Sequence, residues 1–308
     1  MMKKNEKRKN YAALETRDAW LFIGLGVILF SVFVLYPQLK NIYMGFTEYS
    51  IIPGQPSKFI GLDNFKRMFF SEGALGESQY FYIALRNSIL AVLVTVPGQL
   101  IIGMGVATII HNLSRGKLIY KIVLYIPVIS SWVVVSVLFK YIFQDTKGSL
   151  VNYALIQSRL IDSPIAWLNN ATTANIVIWV LCIWKGVGWV MIIFTAALQS
   201  LPRDVYEAAK IDGSNALRTF TNITMPLLKP TMIYSIVQLT IGAFGIMIQV
   251  IMITGGGPMG MTETLNSYMY NKAFSQFQFG YASAVALIMG LVVIFITMLQ
   301  RRAFKENQ

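Results

Sequence analysis

The residues best suited to chemistry are few in this 308-residue chain and stand apart from one another. Its one cysteine, Cys182, lies inside an apolar run, so neither a disulfide framework nor a cysteine-based metal site can be assembled within the chain. Cys182 reads as a small buried apolar residue, and the single histidine, His111, as an interfacial residue just past a hydrophobic block. A phosphate-cradling G-x-x-x-x-G-K-[ST] loop is absent: Gly116-Lys117 has His111 where the first glycine belongs, and Gly255-Gly256-Gly257-Pro258 has no lysine after it. No His/Glu metal signature and no serine nucleophile elbow is visible. The chain is therefore expected to be no enzyme and to hold no metal or cofactor of its own.

The elements carrying these residues are apolar blocks. Apolar residues make up 55% of the chain and charged residues 13%, against a soluble average of about 25% charged. The 26 Lys and Arg outnumber 14 Asp and Glu, but they sit at the ends and in the connections rather than on one face, which argues against nucleic acid as a partner. A hydrocarbon core of about 30 Å needs roughly 20 apolar residues in a helix, because backbone groups cannot be left unpaired in lipid. Six blocks meet this, at about 20–36, 82–110, 118–143, 176–201, 226–253 and 281–299. The expected fold class is an all-α polytopic membrane protein with six transmembrane helices. It forms one transmembrane domain, 19–300, between tails 1–18 and 301–308. Pro37 reads as closing the first span, and Arg301-Arg302 as a charged stop after the last. The first block is not expected to be a cleaved signal, since Tyr36-Pro37-Gln38 is no small-residue cleavage site.

Counting Lys and Arg on alternate sides gives sixteen for the set containing both termini and seven for the other, so both termini are expected in the cytoplasm. None of the fourteen carboxylates falls in a span. Proton or sodium coupling usually needs an ionisable group at membrane depth, so an ion-coupled secondary carrier is the weaker alternative. The cations that enter spans are Arg86, Lys140 and Lys185. The first two read as snorkelling to an interface; Lys185, deeper, is either a structural partner at a subunit interface or a position lining a path.

The connection between spans four and five reads as a helix-turn-helix at the cytoplasmic surface. Pro202 suits a helix N-terminus, with Asp204 and Glu207 in the first turns, where the helix dipole favours anions. Val205, Ala208, Ala209 and Asp212 follow the i, i+3, i+4, i+7 spacing of one face, small enough for close approach by a partner. Gly213 permits the turn, Ser214 can cap a second short helix, and Pro226 can open the fifth span. An amphipathic helix resting on lipid headgroups is the simpler alternative.

This stretch resembles the EAA motif of binding-protein-dependent ABC importers, E-A-A-x-x-x-G followed nine residues later by I-x-L-P. Glu207-Ala208-Ala209, Gly213, Ile223 and Pro226 match, with Met225 in place of leucine. Further along, Phe59 to Phe65, Asn87-Ser88, Trp184-Lys185, Ala197 to Pro202, and Thr254-Gly255-Gly256-Gly257-Pro258 with Thr262, Thr264-Leu265, Tyr268 and Tyr270 are similar to the carbohydrate-uptake permeases of the maltose and glycerol-phosphate type. Many such permeases carry an Asp shortly before the T-G-G-P run; here Ile246 to Gln249 holds none.

The resemblance implies that the loop is a coupling helix, with Glu207, Ala208, Ala209, Asp212, Gly213, Ile223 and Pro226 at the contact with a separate ATPase. The implied partners are a second homologous permease, two copies of that ATPase, which use ATP and Mg, and an external solute-binding protein. The implied substrate is a neutral sugar or oligosaccharide and the implied location a bacterial-type cytoplasmic membrane. Sugar sites need hydrogen-bonding groups beside flat apolar faces, which Trp179, Trp184, Trp189, Tyr234, Gln238 and Gln249, with Lys185, offer in spans four and five. Taken singly, each also reads as an interfacial aromatic or an interhelical hydrogen-bonding group.

Overall fold

The structure, a computed structural model, describes residues 22–51, 56–71 and 76–305; the tail 1–18 and the first residues of the first expected span lie outside them. Helix α1 (Phe22–Gly45) leads into a short antiparallel hairpin, β1 (Thr47–Glu48) with β2 (Lys58–Phe59), in which Thr47 faces Phe59. There follow α2 (Asp63–Phe70), α3 (Glu77–Asn112), α4 (Lys117–Ile129), α5 (Trp132–Ile142), α6 (Leu150–Gln157) and α7 (Ala171–Gln199). The chain continues with α8 (Arg203–Ile211), α9 (Ala216–Phe244), α10 (Ile248–Ile253), α11 (Leu265–Tyr270) and α12 (Phe279–Lys305). Among the described residues five helices, α1, α3, α7, α9 and α12, are long and apolar enough to cross a membrane; the number becomes six if α4 and α5, which meet at 94°, are one broken span.

α3 and α7 form the central pair. A Cβ on Gly103 would lie 2.5 Å from Val190, and one on Gly186 would lie 1.8 Å from the Gln99 amide oxygen, so small residues set the interhelical distance. α4 closes on the same pair, with Gly188 against the Leu124 carbonyl. Buried apolar side chains collect in three clusters along the bundle, around Phe81 and Tyr281, around Phe139 and Leu181, and around Met104 and Phe194. The outer faces of α1, α4 and α12 instead expose Phe22, Phe33, Ile119, Val123, Leu291 and Phe295, an apolar belt that suits lipid and would be a liability in water.

Two prolines do not act as the sequence suggests. α1 does not close at Pro37 but runs on to Gly45, and the fifth span does not open at Pro226 but at Ala216. In both places a π-turn, Ser31–Leu35 or Phe220–Thr224, ends two residues before the proline. The extra residue in that turn opens the backbone where the proline ring would strike the preceding carbonyl, so the helix passes the proline instead of stopping. The expected fifth span also ends early: α9 stops at Phe244, the chain breaks through Gly245–Met247, and α10 starts anew at Ile248. Arg301 and Arg302 do not end the last helix, which continues to Lys305.

The break in the third expected span has a side chain of its own. The Lys185 ammonium, from α7, donates to the carbonyls of Pro127, Val128 and Ser130 at 2.5, 3.0 and 2.7 Å and lies 4.7 Å from the centre of the Trp132 ring. These are the carbonyls that the end of α4 leaves without helical partners, and a cation is the group a helix C-terminus favours. Lys185 therefore fastens a bend within its own chain.

Candidate functional site: a polar cavity, an elbow and a tied loop

A cavity of about 400 Å³ lies between α3, α7, α9 and α10. Its walls bring together Trp189, Tyr234, Gln238 and Gln249 from the sequence-derived set, and every lining side chain is uncharged. The Gln238 amide donates to the Tyr234 hydroxyl at 3.4 Å, and the Gln249 side-chain oxygen accepts from the Met247 amide at 3.3 Å. Trp179, Trp184 and Lys185 are not in this wall. Trp179 packs on the middle apolar cluster, Trp184 lies tilted against the Phe139 ring at 5.6 Å and is otherwise exposed, and Lys185 is committed to the α4–α5 bend. The sequence reading missed Thr95, Gln99 and Trp132, which line the cavity from α3 and α5. Gln99 was findable: a buried-span glutamine facing Gly186 is what a notched helix pair produces. Trp132 was not, because only the 94° bend turns it inward. Cys182 is buried as expected and contributes apolar lining.

At one end of the bundle α8 forms an elbow. Pro202, in extended conformation, precedes it, and Asp204 sits in its first turn. The helix ends at Ile211, and Gly213, two residues on, turns the chain with a φ of +74° that only glycine adopts without strain; its N–H donates to the Lys210 carbonyl and that of Ser214 to the Ala209 carbonyl. The next helix is capped not by Ser214 but by Asn215, whose side-chain oxygen accepts from the Arg218 amide at 2.8 Å. That helix is the start of α9, so the elbow joins the long helix without a joint. The Tyr206 hydroxyl meets the Thr224 hydroxyl at 3.1 Å, pinning α8 to the π-turn. Of the expected contact face, Glu207, Ala208, Asp212 and Pro226 are exposed, Ile223 is half-buried and Ala209 is buried. Beside them Ile211 and Leu217, absent from the sequence-derived set, are 86% and 72% exposed; aliphatic residues flanking a D-G turn were the available signal.

At the other end, Asn87 and Ser88 of α3 hold the loop before α11. The Asn87 amide donates to the Met261 and Glu263 carbonyls at 2.8 and 2.9 Å, and Ser88 accepts from the Leu265 amide at 2.9 Å. Thr262 donates to the Gly257 carbonyl at 2.8 Å, and Thr264 caps α11. Gly256, at φ +86°, also gives room to the Glu263 carboxylate, which would lie 2.5 Å from a Cβ there. Burial raises the Glu263 carboxyl above the usual carboxylate range, against the opposing pull of hydrogen bonds from Ser267 and Asn271. Beside this loop Arg67 grips Glu77 with two bonds of 2.6 and 2.7 Å, Lys272 reaches Glu77 at 3.1 Å, and the Tyr268 and Tyr281 rings lie 5.4 and 5.5 Å from the Lys272 ammonium.

The family model described as "binding-protein-dependent transport system inner membrane component" matches residues 99–305, which include the elbow, α7, α9, α10 and the tied loop. The chain belongs to that family. Among relatives of this inner membrane component, the lactose transport system permease protein of Rhizobium radiobacter is 32% identical over 94% of this chain and 95% of its own. The sulfoquinovosyl glycerol transport system permease protein of Agrobacterium fabrum is 32% identical over 94% and 91%, and the arabinooligosaccharides transport system permease protein of Bacillus subtilis is 31% identical over 91% and 86%. In fold, this inner membrane component is similar to a chain of a bacterial ABC transporter involved in the import of the acidic polysaccharide alginate, with a TM-score of 0.80 at 22% identity, covering 96% of this chain and 99% of that one.

Proposed function

We propose that this inner membrane component is one half of the membrane pathway of an ATP-driven importer for neutral sugars or short oligosaccharides. The observation that carries the reading is the uncharged cavity between α3, α7, α9 and α10, with indole and phenol faces beside three glutamine amides. Amide and hydroxyl groups pair with sugar hydroxyls while flat rings cover the apolar faces of the ring carbons, and no ionic group is present to favour an acid. Relatives named for lactose and arabinooligosaccharide transport, matched along nearly the whole chain, support the same substrate class.

In this reading the chain crosses the membrane six times, α4 and α5 being one bent span, and both termini face the cytoplasm. α8 is then a cytoplasmic coupling helix. Its exposed Glu207, Ala208, Asp212 and Gly213 meet a separate ATPase, while Ile223 and Pro226 mark the link to α9. Because α9 begins only five residues beyond α8, movement of the elbow is passed directly to a wall of the cavity. A second permease completes the pathway, two ATPase copies supply the work with ATP and Mg, and an external binding protein delivers the sugar.

The test is isolation in mild detergent with partners identified by mass, followed by reconstitution. Recovery of a second permease and an ATPase, with sugar uptake that requires both ATP and a binding protein, is the expected outcome. Accumulation of solute against a gradient by the purified chain alone, driven by an ion gradient, would overturn it in favour of a carrier.

A further inference from the structure

A second and larger cavity, of about 820 Å³, lies at the elbow between the end of α3, the start of α4 and the inward face of α8. Lys117, Lys121, Arg203 and Lys210 line it against a single carboxylate, Glu207. Arg203, Glu207 and Lys210 recur at helical spacing along the rim of the cavity, and all three are exposed, so Glu207 borders both the cavity and the outward face that carries Ala208, Ile211 and Asp212. Lys117 is fixed by its bond to the His111 carbonyl at 2.6 Å. Lys121 is half-buried, and neither it nor Arg203 nor Lys210 has a carboxylate partner among the described residues. Asn112 and Gln199 add amide groups to the same wall. Three helices begin at this cavity, α4, α8 and α9, and three end there, α3, α7 and α8 itself, so their dipoles offset one another and the field is that of the side chains.

Lys117 and Lys121 are half-buried and Arg203 and Lys210 exposed, so four cations face one carboxylate around the same cavity, and an anion that enters offsets the excess positive charge while gaining charge-assisted hydrogen bonds. The volume exceeds that of a phosphate group several-fold, leaving room for what the phosphate is attached to. We infer that this cavity binds a phosphate-bearing anion. Because Arg203 and Lys210 belong to α8, the bound anion also braces the elbow from its inner side. The inference rests on the proposed topology, which puts the cavity at the cytoplasmic surface, where the anion comes either from a phospholipid headgroup or from a soluble phosphorylated molecule.

The experiment uses the whole importer in lipid nanodiscs of phosphatidylcholine alone or mixed with phosphatidylglycerol, and inorganic phosphate as the soluble probe. Native mass spectrometry reads retained lipid, and calorimetry in the phosphatidylcholine discs reads phosphate binding. Neither needs transport or nucleotide, so the result is separable from the outcome for ATP-driven uptake. If the source is lipid, wild type retains phosphatidylglycerol over phosphatidylcholine by about tenfold or more, and the double variant Lys121→Gln, Arg203→Gln loses that preference. If the source is soluble, phosphate binds wild type and its affinity falls by a similar factor in the same double variant. Lys121→Arg, which keeps the charge, should retain either behaviour and so controls for folding. No preference and no phosphate binding in wild type, or their survival in the double variant, overturns the inference. Loss of the ATPase from the double variant with lipid and phosphate binding intact would assign the cations to an acidic protein partner and overturn it as well.

Discussion

The loop end and the elbow end of this bundle are held by different means. Between Thr254 and Tyr281 the chain is fastened by Asn87 and Ser88, by a capping box at Thr264, and by the Arg67–Glu77–Lys272 cluster under two tyrosine rings. Around α8 the main side-chain tie to the bundle is one hydroxyl pair, Tyr206 with Thr224, while aliphatic and acidic side chains face outward. A segment whose polar groups are satisfied internally is rigid and self-sufficient; one that leaves Ile211 and Leu217 uncovered completes its burial against something else. The loop end should thus report damage as lost stability, and the elbow end as lost function.

The largest effect is expected from Glu77→Gln, which leaves the Lys272 ammonium, its side chain 8% exposed, without a counter-charge. Breaking such a pair costs about 3 kcal/mol, seen as a lower thermal midpoint of the purified chain; an unchanged midpoint would remove the claim that the loop end is held by charge. Lys185→Met tests the region between the two ends. It deprives three carbonyls of their donor and should cost about 2 kcal/mol, with the α4–α5 bend becoming more accessible to hydrogen exchange. Full uptake and unaltered exchange in that variant would count against the fastening role.

Gly213→Val forces a β-branched residue to φ +74° at the elbow. The complex should still assemble, with a small fall in midpoint from the strain, while uptake per ATP hydrolysed falls about tenfold, a factor worth about 1.4 kcal/mol. Loss of assembly instead would show that the elbow is as structural as the loop, erasing the contrast. The smallest change is expected from Glu263→Gln. With its carboxyl raised by burial, the protonated form is the one the fold prefers. Its contribution is fully present below the ordinary carboxylate value and is lost as pH rises through the raised one. The amide should therefore gain stability, under about 1 kcal/mol, at neutral and alkaline pH and none in acid. A gain of equal size at all pH values would mean that titration is not involved.

The cavity residues illustrate how far a one-dimensional reading reaches. Trp189, Tyr234, Gln238 and Gln249 were identifiable because polar and aromatic groups are conspicuous inside apolar blocks, yet Trp184 and Lys185, equally conspicuous, face elsewhere. Helical periodicity says that residues share a face, not which neighbour that face meets. Lys185 had two readings from sequence, and its assignment depended on where three carbonyls of another helix end.

By itself the sequence determined the bilayer class, the approximate positions of the long apolar helices and the Glu207 to Gly213 turn, because each depends on local composition or on a backbone preference carried by single residues. The tertiary structure alone decided that α4 and α5 meet at 94°, that Lys185 fastens that bend, and that Trp132 joins the cavity wall. Those outcomes are set by which carbonyls and side chains arrive from elsewhere in the chain, and no local pattern encodes such arrivals.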